Sequence, residues 1–300
     1  MIRRRTVSAA GVILLAATAS SGSTFDAARR QQIESVITQS GADVAVAFRT
    51  LDGGEELFLR DAEPFHAAST MKVPVMIELF RQAWAGLLGL DQGITVTNEF
   101  RSIVDGSPYS LSAGDDSETD LYQAIGQTRT YRELCELMIT RSSNLATNNL
   151  IEHLGVDRIR ATAAALGAPG MDVRRGVEDD VAFRAGQNNT TSARALLVLL
   201  EALAGGKAVS AAASLEMVEI LERQQFNESI PAGLPPGTRV AHKTGSITRI
   251  QHDAAIVYGP RAYVLVVLVR GLDDEDKGHR LIADIARIVE GAVNPPRSQR

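Results

Sequence analysis

Hydrophobic and polar positions change period four times along the chain. From Ala27 to Ser40 apolar residues recur at helical spacing, with Ile33, Val36 and Ile37 on one face and Gly41 as the stop. Asp43 to Thr50 alternates and is rich in Val and Phe, which predicts a strand. Asp52-Gly53-Gly54 then turns the chain into a second strand around Glu56 to Arg60. From there to about residue 204 the patterns are helical. Thr130 followed by Glu133 makes a capping box for a helix through Leu134, Leu137 and Met138. A second helix runs to Leu154 and stops at Gly155. Gly170 to Asn189 carries charges and glycines without a period, a long irregular loop of the kind compact domains keep for function. Extended patterns return in Thr238 to Lys243, Asp253 to Tyr258 and Ala262 to Arg270. A last helix carries Leu281, Ile285, Ile288 and Val289 on one face.

Strands and helices at both ends around a helical block predict an α+β fold. Residues 23–61 and 205–295 form its sheet domain, and residues 62–204 form an all-α domain. A site between the two is the default expectation.

The first 19 residues read as a signal peptide. Arg3, Arg4 and Arg5 precede the mostly apolar stretch Val7 to Ala16, and Ala17-Thr18-Ala19 supplies small residues for cleavage. That stretch falls short of the roughly 20 residues that span a bilayer. No cysteine follows it to carry a lipid. The mature chain is therefore expected in the periplasm or outside the cell, without a membrane anchor.

Composition narrows the function classes only slightly. The chain of 300 residues is 45% hydrophobic with a net charge of -5, which argues against a nucleic acid partner. The five histidines lack metal-ligand spacing, so neither a metal nor another cofactor is expected. Cys135 lies in the apolar pattern of a helix and reads as a buried, inert thiol.

Three short motifs carry the chemistry: Ser69-Thr70-Met71-Lys72, Ser142-Ser143-Asn144 and Lys243-Thr244-Gly245. If Ser69 starts a helix, Lys72 returns to the same face one turn later and approaches the hydroxyl. Pro74 is tolerable only near such a start. A serine hydroxyl is a weak nucleophile until a base takes its proton. A lysine can be that base when burial and cationic neighbours depress its pKa. Each motif alone is commonplace; their joint occurrence in this order is specific.

With these motifs the sequence resembles the class A β-lactamase family over nearly all of the mature chain. The resemblance implies a five-stranded antiparallel sheet beside an all-α domain, with the site at their junction. It makes Ser69 the acylated nucleophile and Lys72 its proton partner, and Ser142 the donor to the departing nitrogen. It also implies that Asn144 binds a substrate amide, that Lys243 and Thr244 of the Lys243-Thr244-Gly245 strand hold a carboxylate, and that the N–H groups of Ser69 and Ser246 form the oxyanion hole.

The chain departs from the family pattern at three places. Ser143 stands where the family usually has Asp. The glutamate that activates water falls on Gly176 when the long loop is aligned without gaps from Asn189-Thr190-Thr191. Glu178, two residues on, is the alternative base, with Asp179 and Asp180 behind it. All three acids could instead solvate the loop or pair with its arginines. Where many members have a carboxylate-binding arginine, alignment on Gly259-Pro260 puts His252. It could be a pH-dependent anchor or a structural partner of its neighbours, and Arg249 is a second anchor. Cys135 matches one half of a disulfide found in some members, whose other half falls near Met76, so no bridge is expected.

These readings imply a monomeric β-lactam hydrolase. The alternatives are a D-alanyl-D-alanine peptidase or peptidoglycan acyltransferase acting on peptidoglycan peptides, and a covalent β-lactam sensor or trap without turnover.

Overall fold

The structure, a computed structural model, describes residues 23–295. The expected signal peptide lies outside the described residues. The chain opens with β1 (Ser23–Thr24), α1 (Ala27–Ser40), β2 (Asp43–Thr50) and β3 (Glu55–Leu59). Next come β4 (Phe65–His66), a 3-10 turn (Ala68–Met71) and α2 (Lys72–Trp84). Short strands β5 (Gly93–Thr95), β6 (Phe100–Arg101), β7 (Pro108–Tyr109) and β8 (Thr128–Thr130) follow. The helices α3 (Tyr131–Thr140), α4 (Asn144–Leu154) and α5 (Val156–Ala165) succeed them. After α6 (Asp180–Arg184) and β9 (Thr190–Thr191) come α7 (Ala193–Ala204) and α8 (Ala211–Glu222). The chain ends with β10 (Arg239–Ile247), β11 (Ile250–Tyr258), β12 (Tyr263–Arg270) and α9 (Glu275–Val293).

Five antiparallel strands make the main sheet in the order β3-β2-β12-β11-β10, and the two-residue β1 adds in parallel at the β3 edge. Helices cover both faces, so the central strand β12 reads as an unbroken apolar run rather than an alternating one. Alternate residues of β12 still part company. Leu265, Val267 and Val269 pack with Ile33 of α1 and Ile285 of α9; Val264, Val266 and Leu268 pack with Leu196 of α7 and the helical block. The sheet's inner face and the helical block bury one continuous set of side chains.

Two sequence expectations are corrected here. The strand expected to end at Lys243 runs on to Ile247, and its partner starts at Ile250 rather than Asp253. A two-residue turn at Thr248-Arg249 joins them. Thr244-Gly245-Ser246 continues the strand and pairs with Gln251 to Asp253. The long loop also contains a helical turn, α6, which Asp179 caps by accepting a hydrogen bond from the Ala182 amide. The capping box at Thr130 and Glu133 is formed as expected.

Candidate functional site

The nucleophile turn is built under constraint. Ser69 and Lys72 are joined by the 3-10 turn, and Lys72 is the first residue of α2. Pro74 is the third residue of that helix, where its missing N–H has no intrahelical partner to lose. Lys72 Nζ lies 3.0 Å from Ser69 Oγ. The residue before the serine, Ala68, has a φ of 43°. Ser142 (φ 56°) and Glu178 (φ 61°) are also held in the left-handed region, which side-chain-bearing residues rarely occupy. Strain of this kind persists where surrounding contacts over-determine it, and it clusters at working sites.

The strand β10 lies against this turn. Lys243 and Gly245 share the parity of Ala241, which packs into the core common to sheet and helical block. A Cβ on Gly245 would stand 3.1 Å from the amide nitrogens of both Ser69 and Thr70, so only glycine lets the strand approach so closely.

Two lysines converge on one hydroxyl. Lys72 Nζ and Lys243 Nζ each donate to Ser142 Oγ at 3.1 Å. Lys72 also donates to the Ser142 carbonyl at 2.6 Å and to Asn144 Oδ1 at 2.8 Å. Both ammonium groups are fully buried. Burial brings the Lys72 pKa down to about 7, against the opposing pull of the Asp116 and Glu178 carboxylates. Burial, and then the neighbouring Lys72 charge, holds Lys243 well below the ordinary lysine range.

Glu178 reaches this cluster and Gly176 does not. Asn144 Nδ2 donates to Glu178 Oε1 at 2.7 Å, so Ser69, Lys72, Asn144 and Glu178 form one chain of hydrogen bonds. Burial raises the Glu178 pKa above the usual carboxylate value; the Asn144 N–H works against that rise. At position 176 a Cβ would lie 2.6 Å from Asn148 Oδ1 and 3.1 Å from the Tyr109 hydroxyl, so this position faces α4 rather than the cleft. Asn148 pins the loop on either side by accepting from the Val177 amide and donating to its carbonyl. Asp179 is spent on capping α6 and on the Ile103 amide. Arg174 pairs with Asp172, and Arg175 binds the Gln187 and Gly176 carbonyls.

His252 lines the first cleft beside Ser69 and Thr244, but its ring nitrogens are engaged by backbone groups. Its side chain is buried, its Nε2 meets the His66 carbonyl at 2.9 Å, and its Nδ1 meets the Gln251 carbonyl and the Val269 amide. Burial lowers its pKa to about 4, so the ring is neutral at physiological pH. Its register on β11, opposite Gly245 and Leu268, puts it on the sheet face that meets the nucleophile turn. Arg249 sits at the hairpin tip, bound to the Gly271 carbonyl and paired with Asp273.

Ser69 stands where two clefts meet. One, of about 280 Å³, is lined by Ser142, Asn144, Thr244, Gly245, Ser246 and Glu275 among others. The other, of about 310 Å³, passes Asn144, Glu178, Phe183, Asn189 and Ile247. The Ser246 hydroxyl donates to Glu275 at the first cleft's rim.

One group beside this cluster lies outside the three motifs. Asp116, from the segment between β7 and α3, is buried and accepts from the amides of Asn144 and Leu145. The only sign of it in the sequence is the polar run Asp115-Asp116-Ser117-Glu118, which resembles a solvated loop. Cys135 is buried and free, and burial pushes its thiol up to about 12.

An α+β fold with a lysine-paired serine under the edge strand of an antiparallel sheet is the architecture of active-serine acyl-transfer enzymes. The chain belongs to the β-lactamase enzyme family, whose pattern matches residues 28–293. It is 27% identical over 267 residues to the β-lactamase Toho-1 of Escherichia coli, covering 87% of each chain. Among solved structures it is similar to PBP-A, with a TM-score of 0.78, 27% identity and 90% and 97% of the two chains covered. A mutant of PBP-A is known as its acyl-enzyme complex with penicillin G. An ancestral (GNCA) class A β-lactamase superposes with a TM-score of 0.77 at 27% identity, over 88% of this chain and 99% of that one.

Proposed function

We propose that this protein is an exported, monomeric serine hydrolase that opens β-lactam antibiotics through an acyl-enzyme on Ser69. The observation that carries the reading is the placement of Glu178, hydrogen-bonded to Asn144 and lining the same cavity as Ser69. Neutral Lys72 takes the Ser69 proton as Oγ attacks the lactam carbonyl carbon. The ring C–N bond breaks, and its nitrogen takes a proton from Ser142 Oγ. Lys72, 3.1 Å from Ser142 Oγ, returns that proton and is neutral again. A water then attacks the ester carbonyl carbon and gives one proton to Glu178; the ester C–O bond breaks, and that proton passes from Glu178 to Ser69 Oγ, which restores the free enzyme. The second cleft has room for that water beside the carboxylate.

The amides of Ser69 and Ser246 serve as oxyanion donors in this reading, each worth roughly 3 kcal/mol in comparable sites. Lys243 and Thr244 hold the substrate carboxylate, because His252 is neutral at physiological pH. Among the described residues no helix is long and apolar enough to cross a membrane.

Intact mass followed over time after adding benzylpenicillin tests the reading. Addition of one drug mass to the protein and its rapid loss supports a hydrolase. A persistent adduct, with cleavage of D-alanyl-D-alanine peptides, supports the second reading, a peptidase. The likeness to PBP-A favours that alternative. Absence of any adduct on the wild-type protein, with the drug left intact, removes both.

A further inference from the structure

We infer that Asp116 supplies, from a different segment of the chain, the carboxylate that the Ser142-Ser143-Asn144 turn lacks at position 143, and so acts as the positioning residue for Ser142 and Asn144. The inference rests on the reading of Ser69 as an acyl-transfer nucleophile.

Ser143 does only part of what a carboxylate there could do. Its hydroxyl caps α4 by accepting from the Ala146 amide at 3.1 Å. The first two amides of that helix, Asn144 and Leu145, are left for another acceptor. Asp116 takes both: Oδ1 and Oδ2 lie 3.0 and 2.9 Å from the Asn144 nitrogen, and Oδ2 lies 2.9 Å from that of Leu145. The carboxylate is itself fixed by the Tyr122 hydroxyl at 3.1 Å and the Glu118 amide at 3.1 Å. Its neighbours grip the other end of the turn. The Ser117 hydroxyl donates to the Arg141 carbonyl at 2.8 Å, and buried Glu118 pairs with the Arg141 guanidinium. Three consecutive side chains thus hold residues 141–145 in the shape that puts Ser142, at a left-handed φ, between Lys72 and Lys243. An anion at the N-terminus of α4 is also favoured by the helix's exposed N–H groups.

The test is Asp116→Asn, nearly isosteric but uncharged. Its amide group cannot accept from all of these donors at once. We expect kcat/KM for penicillin to fall 10- to 100-fold, mostly in kcat, with far-ultraviolet circular dichroism unchanged. The acid limb of kcat/KM should move to lower pH, because Lys72 faces Asp116, Glu178 and Lys243 and losing one anion makes its proton easier to lose. A structural role alone would leave that limb in place. Adding Ser143→Asp to Asp116→Asn should recover at least tenfold in kcat/KM. If Asp116→Asn alone does not fold, the double variant carries the test: a folded, active double variant supports the inference, and an unfolded or inactive one overturns it. A folded Asp116→Asn protein with kcat/KM within twofold of wild type and an unmoved limb also overturns it. Both results presuppose a wild-type protein that penicillin acylates; without acylation it is the function that fails.

Discussion

Asn144 Nδ2 donates to the Glu178 carboxylate across 2.7 Å, while the same amide's oxygen accepts from Lys72. The arrangement places the proposed water-activating base one side chain away from the base that starts the reaction. Glu178→Gln keeps the shape and removes the basicity. Acylation of Ser69 by benzylpenicillin should persist within about tenfold, whereas deacylation falls 10²- to 10⁴-fold. Stopped-flow kinetics with intact mass would show the adduct building up. Full steady-state turnover in this variant would remove Glu178 from the mechanism.

Lys72 is expected to govern the acid limb of acylation. It must be neutral to accept the Ser69 proton, and burial brings its pKa to about 7. Acylation therefore falls as pH drops through 7, approaching tenfold per unit below it. The Glu178 carboxylate helps to keep Lys72 protonated, so Glu178→Gln should move this limb to lower pH. Single-turnover acylation rates between pH 5 and 9 give the answer, and a limb that stays near pH 7 in both proteins would contradict the coupling.

Gly245→Ala tests the close approach of β10 to the nucleophile turn. The added methyl would lie 3.1 Å from two amide nitrogens, so turn and strand must separate by a few tenths of an ångström. A displacement near the reacting atoms costs rate more than stability. We expect kcat/KM to fall by about 10²-fold and thermal stability to drop by about 1–3 kcal/mol. Calorimetry and nitrocefin turnover on the same preparation separate the two effects.

His252 makes the fold sensitive to acid. Its folded-state pKa of about 4 lies below the unfolded value of 6.5. Between those values the unfolded chain binds a proton that the native state refuses, so stability is lost as pH falls from 6.5 towards 4. The loss is a few kcal/mol in order of magnitude. Urea melts at pH 7 and pH 4.5 should show a larger drop for wild type than for His252→Gln. Equal drops would mean that other groups set the acid limit.

Much of the site could be read in advance because it is local. Ser69 and Lys72 are one turn apart, and Ser142 and Asn144 share a cap, so sequence spacing already fixes their relation. What could not be read depends on contacts between distant segments. Nothing local to Gly245 says that the backbone of Ser69 presses against it. Glu178 rather than Gly176 enters the cleft because Tyr109 and Asn148 occupy the space next to Gly176 and pin the loop beside it. Asp116 lies in a stretch without hydrophobic period, so nothing local separates it from the solvated acids around it. His252 has an anion-binder's position in the alignment but a core residue's surroundings.

The single core shared by the sheet and the helical block limits how this enzyme can adapt. Swinging the two halves apart would pull Val264, Val266 and Leu268 away from the helices they pack against and wet them together. The mouth of the cleft therefore has a fixed aperture. Bulkier drugs would be admitted by substitutions on its rim, at Phe226, Glu228, Phe183 or Ile247, rather than by hinged opening.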